Sequence, residues 1–456
     1  MKSIITSILI VSCLQIGLAQ DHDKQIKSIY DEVLINGEVY DNLRVLCKDI
    51  GNRLSGSPGA AAAVEFTRQV MVDYGFDTVF IQPVMVPNWK RGDIEIVRVL
   101  SSAEGTFELN SLSLGNSKGT GPEGVRAKVI EVKSMDDIET LGKKLEGKIV
   151  FLNGPANATY VQTFRGYGSA VIQRAFGASE AGKYGAKAVI VRSITQTLDD
   201  VPHTGSLRYK PNMPQIPAMA ISTIGADRLS KLIAQDSELE IYMENHSEMK
   251  GEVLSHNVIG QINGTDSPDE YIAVGGHLDS WDVGEGAHDD GSGCMQGIEA
   301  LRALKAVNYT PKRTIRAVMW MNEENGGAGG REYAKQAELL KENHIAAIES
   351  DRGGFTPRGF TSSGTDEQTG TMQSWQKYFE PYDLFDFKKP GGGVDIGPLA
   401  PQGTLLIGLL PDSQRYFRFH HTAADTFEQV DKRELELGAA AMASMIYLLD
   451  QHGMVK

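Results

Sequence analysis

The stretch from 275 to 293, GGHLDSWDVGEGAHDDGSG, constrains this chain more than any other. The apolar run 271–274 leads into it and reads as a short buried strand, while Met295, Ile298, Leu301 and Leu304 follow at helical spacing. The stretch is therefore a strand-to-helix loop. It carries His277, Asp279, Asp289 and Asp290, the nitrogen and oxygen chemistry that zinc accepts. Its glycines let the backbone turn and bring such groups together. Taken alone, the same residues read equally well as a solvated acidic loop ending in a helix N-cap.

Three further apolar runs end in the same way. Residues 314–321 lead to Asn322, Glu323 and Glu324, residues 345–348 lead to Glu349, Ser350 and Asp351, and residues 405–410 precede His420 and His421 by a short loop. Four hydrophobic runs that each finish in His, Asp or Glu predict a largely parallel sheet whose strand ends converge on one crevice. The expected class is α/β, a mixed and mostly parallel sheet sandwiched by helices.

The succession H-x-D, D-D-G-S-G, E-E, a lone D and H-T-x-x-D-T, carried by His277 to Asp425, resembles the co-catalytic di-zinc aminopeptidase and carboxypeptidase family. The likeness runs from about Arg53 to near the C-terminus. It implies two zinc ions bridged by Asp289, with His277 and Asp351 completing one site and Glu324 and His421 the other. It also implies that Glu323 is the general base acting on the attacking water. Asp279 is expected to orient the His277 ring by accepting its second N–H, and Asp425 to do the same for His421. Of the two adjacent histidines, the motif spacing selects His421 over His420. His288, beside the bridge, is left out of the ligand set. The glycine-rich loop 391–398 reads as a wall of the substrate pocket or as plain surface, with Asp395 as a candidate substrate contact.

Elsewhere the chain is read more coarsely. Residues 1–19 look like an export signal, one positive charge before a short apolar core, so the protein is expected to be secreted or periplasmic. A lipoprotein anchor at Cys13 is a lesser alternative. Residues 20–120 and 255–456 read as two parts of one peptidase domain. Between them, 121–254 has short strands among Gly and Pro and no ligand-like cluster, and resembles an inserted protease-associated domain. The segment 52–59 reads as a turn and helix cap at the edge of the peptidase domain. Cys47 and Cys294 form no CxxC pair and are expected to be small buried hydrophobes.

With 41% hydrophobic and 23% charged residues over 456 positions, the chain has the composition of an ordinary globular protein. A net charge of -14 argues against nucleic acid as a partner, and no segment predicts a membrane span. The expected activity is zinc-dependent exopeptidase hydrolysis of short peptides, dipeptides foremost, and the resemblance suggests a homodimer. Two other readings share the fold: a non-catalytic binding protein and a single-zinc acyltransferase of the glutaminyl cyclase type. The complete ligand set weighs against both.

Overall fold

The computed structural model describes residues 22–454. The expected export signal and the alternative anchor at Cys13 lie outside the described residues. The strands form two sheets. The first has seven, in the spatial order Thr78–Lys90, Glu248–Ile262, Arg313–Trp320, Ser267–His277, Asn343–Glu349, Leu405–Pro411 and Pro357–Ser363. Its four central strands, from Arg313–Trp320 to Leu405–Pro411, run parallel, and the flanking pairings are antiparallel. These four are the apolar runs read from the sequence, and helices cover both faces of the sheet they form.

Alternation along the strands builds a core on each side. Ile272, Val274, Ile315, Ala317 and Ile348 face a large core shared with the helices Pro58–Asp73, Ser292–Ala306 and Lys432–His452. Ala273, Val318, Trp320 and Ala347 face a smaller one with Tyr333, Ala334 and Ala337 of the helix Ala328–Leu340. Both faces are dry, which explains why these strands read as near-continuous apolar runs. The lone cysteines Cys47 and Cys294 are buried and free, the latter on the sheet-facing helix Ser292–Ala306.

The second sheet has eight strands, ordered Phe107–Leu109, Glu95–Val99, Glu240–Asn245, Val125–Val132, Ile149–Leu152, Ala188–Arg192, Ala218–Ile221 and Ser111–Ser113. It has apolar cores of its own around Ile149, Phe151, Ile190 and Leu229 and around Val150, Leu152 and Val189. Its strands span 95–245, so the division between sheets falls earlier at both ends than the change of pattern read at 121 and 254. The cause lies at the borders. The short strands near 95–113 pair with strands from 218–245, whereas Glu248–Ile262 crosses back to pair with Thr78–Lys90 and Arg313–Trp320 in the first sheet. No helix of the described residues is long and apolar enough to cross a membrane.

Candidate active site

The C-terminal ends of the four parallel strands meet in one crevice, where open parallel sheets place their ligand groups. His277 ends its strand, and its Nε2 lies 3.3 Å from Asp289 Oδ1 and 3.6 Å from Asp351 Oδ1. His421 approaches from the other side, its Nε2 3.4 Å from Asp289 Oδ2 and 3.1 Å from Glu324 Oε2. Each oxygen of the Asp289 carboxylate thus faces a different histidine. Compatible donor atoms of His277, Asp289 and Glu324 all lie within 4.8 Å of one another, as do those of His277, Asp290 and Asp351.

The donor set fits divalent cations. His277 Nε2, Asp289 Oδ2 and Glu324 Oε1 are buried without a hydrogen-bond partner, a costly arrangement unless another positive group is held there. Burial and neighbouring carboxylates push Glu324 far above its ordinary carboxylate range, and burial raises Asp351 as well. Asp290 also falls among these groups, but both its oxygens are taken: Oδ2 accepts from the His277 N–H at 3.1 Å and Oδ1 from the Gly293 N–H at 3.1 Å. It braces the loop from within.

The Asp279 side chain does not do what the sequence suggested. Its carboxylate stands 3.8 Å from His277 Nδ1, which instead donates to the Asp279 backbone carbonyl at 2.9 Å. The carboxylate is occupied by three backbone N–H groups: Asn322 at 2.6 Å and Glu323 at 3.0 Å on Oδ1, and Glu324 at 3.3 Å on Oδ2. Three converging donors outcompete one ring nitrogen for the same acceptor, so Asp279 fixes the turn that presents both glutamates. Asn322 starts that turn in the left-handed region, with φ of 77°. Asp425 likewise holds backbone and not the His421 ring, accepting from the N–H of His288 at 2.8 Å and of Asp289 at 3.1 Å.

His420 stacks on His421 with ring centroids 3.5 Å apart, and its Nε2 is 3.8 Å from Asp289. His421 makes the shorter approaches. His288 is buried against Phe355, accepts from the Gly354 N–H at Nδ1, and points away from the cluster toward the Gln429 carbonyl.

Asp395, the candidate substrate contact, is buried. It is 1% exposed, and both its oxygens lack a partner. The reason is its neighbours: Glu349 accepts from the Val394 and Ile396 N–H groups at 2.8 and 3.0 Å. Pinning the residues on either side turns Asp395 beneath the loop, where burial holds its carboxyl far above the ordinary range. The loop still forms a wall, through Gly392, Gly393 and Val394.

Two contributions were missed from the sequence. Arg53 is fully buried and donates from Nε to the Leu278 carbonyl at 2.8 Å, from Nη1 to Glu285 at 2.6 Å and from Nη2 to Gly286 at 3.0 Å. The turn-and-cap reading of 52–59 holds for Ser57, which caps the helix Pro58–Asp73 by accepting from the Ala60 N–H. Arg53, however, ties this segment to the loop that carries His277 and Asp289. Arg53→Met should cost about 2–3 kcal/mol in denaturant unfolding, because the buried carbonyls of Leu278 and Gly286 and the part-buried ones of Gly51 and Glu285 lose their donor. A loss under about 0.5 kcal/mol, the usual scale of a surface change, would contradict this role.

The second contribution comes from the second sheet's unit, which buttresses the histidine segment. The Thr204 N–H donates to the His421 carbonyl at 3.0 Å, His203 Nδ1 lies 2.9 Å from the His420 carbonyl, and Arg174 Nη1 lies 3.4 Å from His421 Nδ1. No sequence motif marks these residues, because each acts through a pairing more than 200 positions away.

A model of Peptidase family M28 matches residues 257–446, the part that carries the cluster. Carboxypeptidase Q of Bos taurus is 34% identical over 410 residues, spanning 90% of this chain and 84% of that protein. The chain belongs to peptidase family M28. A crystal structure of a peptidase M28 precursor from Shewanella amazonensis superposes with a TM-score of 0.90 at 31% identity, covering 96% of this chain and 98% of that one. The agreement therefore extends over both sheets of this M28 peptidase. A zinc aminopeptidase from Bacillus subtilis shares the fold at 20% identity, with a TM-score of 0.65 over 90% of this chain and 94% of its own.

Proposed function

We propose that this chain is an exported, two-zinc exopeptidase that hydrolyses short peptides, dipeptides foremost. The observation that carries the reading is the Asp289 carboxylate, with His277 on one oxygen and His421 on the other. That is the arrangement a bridging ligand requires, with Asp351 beside the first histidine and Glu324 beside the second. We assign His277, Asp289 and Asp351 to one ion and Asp289, Glu324 and His421 to the other. The unit spanning 95–245 is an inserted domain whose residues steady the His420–His421 segment.

Bound zinc supplies positive charge for the developing oxyanion and acidifies water in the site. The Glu323 carboxylate accepts the proton of the attacking water and delivers it to the departing amine nitrogen. Burial pushes Glu323 up to about 8, and the positive charge of an ion held by the neighbouring ligands would lower it, favouring the ionised form that accepts a proton. Asp279 holds the Glu323 backbone, and so keeps this carboxylate aimed while Glu324 is engaged as a ligand.

Free, N-blocked and C-amidated dipeptides, with products identified by mass, test this reading. Zinc-replete protein should release amino acids from the free dipeptides. A strong chelator should abolish the release, and added zinc should restore it. Cyclised products from N-terminal glutamine peptides without hydrolysis would favour the acyltransferase reading. No turnover of any peptide by zinc-replete protein would favour the binding-protein reading.

A further inference from the structure

Beside Asp351 the crevice widens into a cleft of about 280 Å³ lined by Phe164, Glu349, Arg352, Gly392, Gly393 and Val394. Its polar groups are nearly all committed. Asp351 turns toward His277. Both oxygens of Glu349 are taken by the Val394 and Ile396 N–H groups. They are also sealed beneath Gly393, where a Cβ would come within 2.3 Å of each of them. Neither Glu349 oxygen is therefore left for an ammonium group. Arg352 is the exception: among the described residues its guanidinium has no hydrogen bond or ion pair, and it lies over the Phe164 ring with its central carbon 5.2 Å from the centroid. Its Nη2 approaches the other wall, 3.6 Å from where a Cβ on Gly391 would stand.

A half-buried, uncommitted guanidinium lying over an aromatic ring presents a fork of N–H donors whose geometry matches a carboxylate. Phe164 and Val394 supply apolar walls for the chain that carries it. The position adds a length argument. Arg352 lines the same cleft as Asp351, a proposed metal ligand, and one extended residue spans about 3.5 Å, so a carboxylate on the residue just beyond the scissile bond would enter the cleft that Arg352 lines. We infer that Arg352 is the substrate-carboxylate binding residue of this cleft, with Phe164 of the second sheet's unit holding its guanidinium in place. The inference rests on the peptidase reading for its place in the reaction. The carboxylate has two possible sources, the peptide's C-terminus and an acidic side chain.

The test uses equilibrium binding, so that it stands apart from turnover. Three dipeptides with a reduced, uncleavable peptide bond are titrated calorimetrically into zinc-loaded protein: alanyl-alanine, its C-terminal amide, and the C-terminal amide of alanyl-glutamate. If Arg352 reads the terminus, alanyl-alanine should bind about 10–100-fold tighter than its amide, the range of one charge-assisted pair. If it reads the side chain, the glutamate amide should be the tighter of the two amides. Arg352→Gln should remove whichever preference exists while leaving the weakest ligand unchanged, and Arg352→Lys should retain part of it. Binding of all three within a factor of two, no binding of any, or an equal loss on all three in Arg352→Gln would overturn the inference. Hydrolysis of the ordinary dipeptides, measured in parallel, judges the peptidase reading separately.

Discussion

Glu323→Gln should leave the fold and zinc content intact and lower kcat on dipeptides by about 10²–10⁴-fold, the usual value of a positioned acid–base group. The amide keeps the size of the side chain but cannot accept the water proton. The backbone contact that fixes residue 323, its N–H to Asp279 Oδ1 at 3.0 Å, is untouched by the change. Glu324→Gln provides the contrast. Glu324 Oε2 lies 3.1 Å from His421 Nε2, within the proposed ligand set, so this change should lower zinc occupancy together with rate. Steady-state kinetics and metal analysis on the two purified variants separate base from ligand. Near-normal turnover by Glu323→Gln would send the search for the proton acceptor elsewhere in the crevice.

What the sequence disclosed and what it hid divide along a physical line. The four parallel strands were legible because both their faces are buried, which leaves continuous apolar runs such as 314–321 and 405–410. The metal-ligand candidates were legible because each ends such a run or lies in the loop that follows it, and because parallel topology brings strand ends to one edge. Hydrogen-bond partners were not legible. Asp279 sits two residues from His277, and sequence spacing favoured the ring as its partner. The outcome depended on a turn 43–45 positions away supplying three N–H donors to its carboxylate.

The same limit explains Arg53, Arg174 and Asp395. An arginine near a turn looks like surface until the loop at 278–286 is folded over it, and nothing in the 391–398 stretch shows that Glu349 will pin the N–H groups on both sides of Asp395. The border between the two sheets was hidden for a related reason. Neither Glu95–Val99 nor Glu248–Ile262 carries a signal of its own for one sheet or the other, and their partners decide which each joins.

Asp289→Ala should remove both zinc ions together, because among the described residues its carboxylate alone stands within ion-pair distance of both histidines. Its Oδ1 is 3.3 Å from His277 and its Oδ2 3.4 Å from His421, so truncation takes one donor from each site at once. Asp351→Ala and Glu324→Ala each touch only one side and should lower occupancy mainly at that side. Local collapse is not expected to account for the loss. The Asp289 backbone N–H remains held by Asp425, and the segment is tied down further by the Arg53 bonds to Leu278, Glu285 and Gly286. Metal analysis after dialysis against a weak chelator should give about two zinc ions for the unaltered protein, near zero for Asp289→Ala and about one for each of the other two variants. Circular dichroism checks that the fold persists. One zinc ion retained in Asp289→Ala would show that its carboxylate does not bridge, and one ion or none in the unaltered protein would remove the paired site altogether.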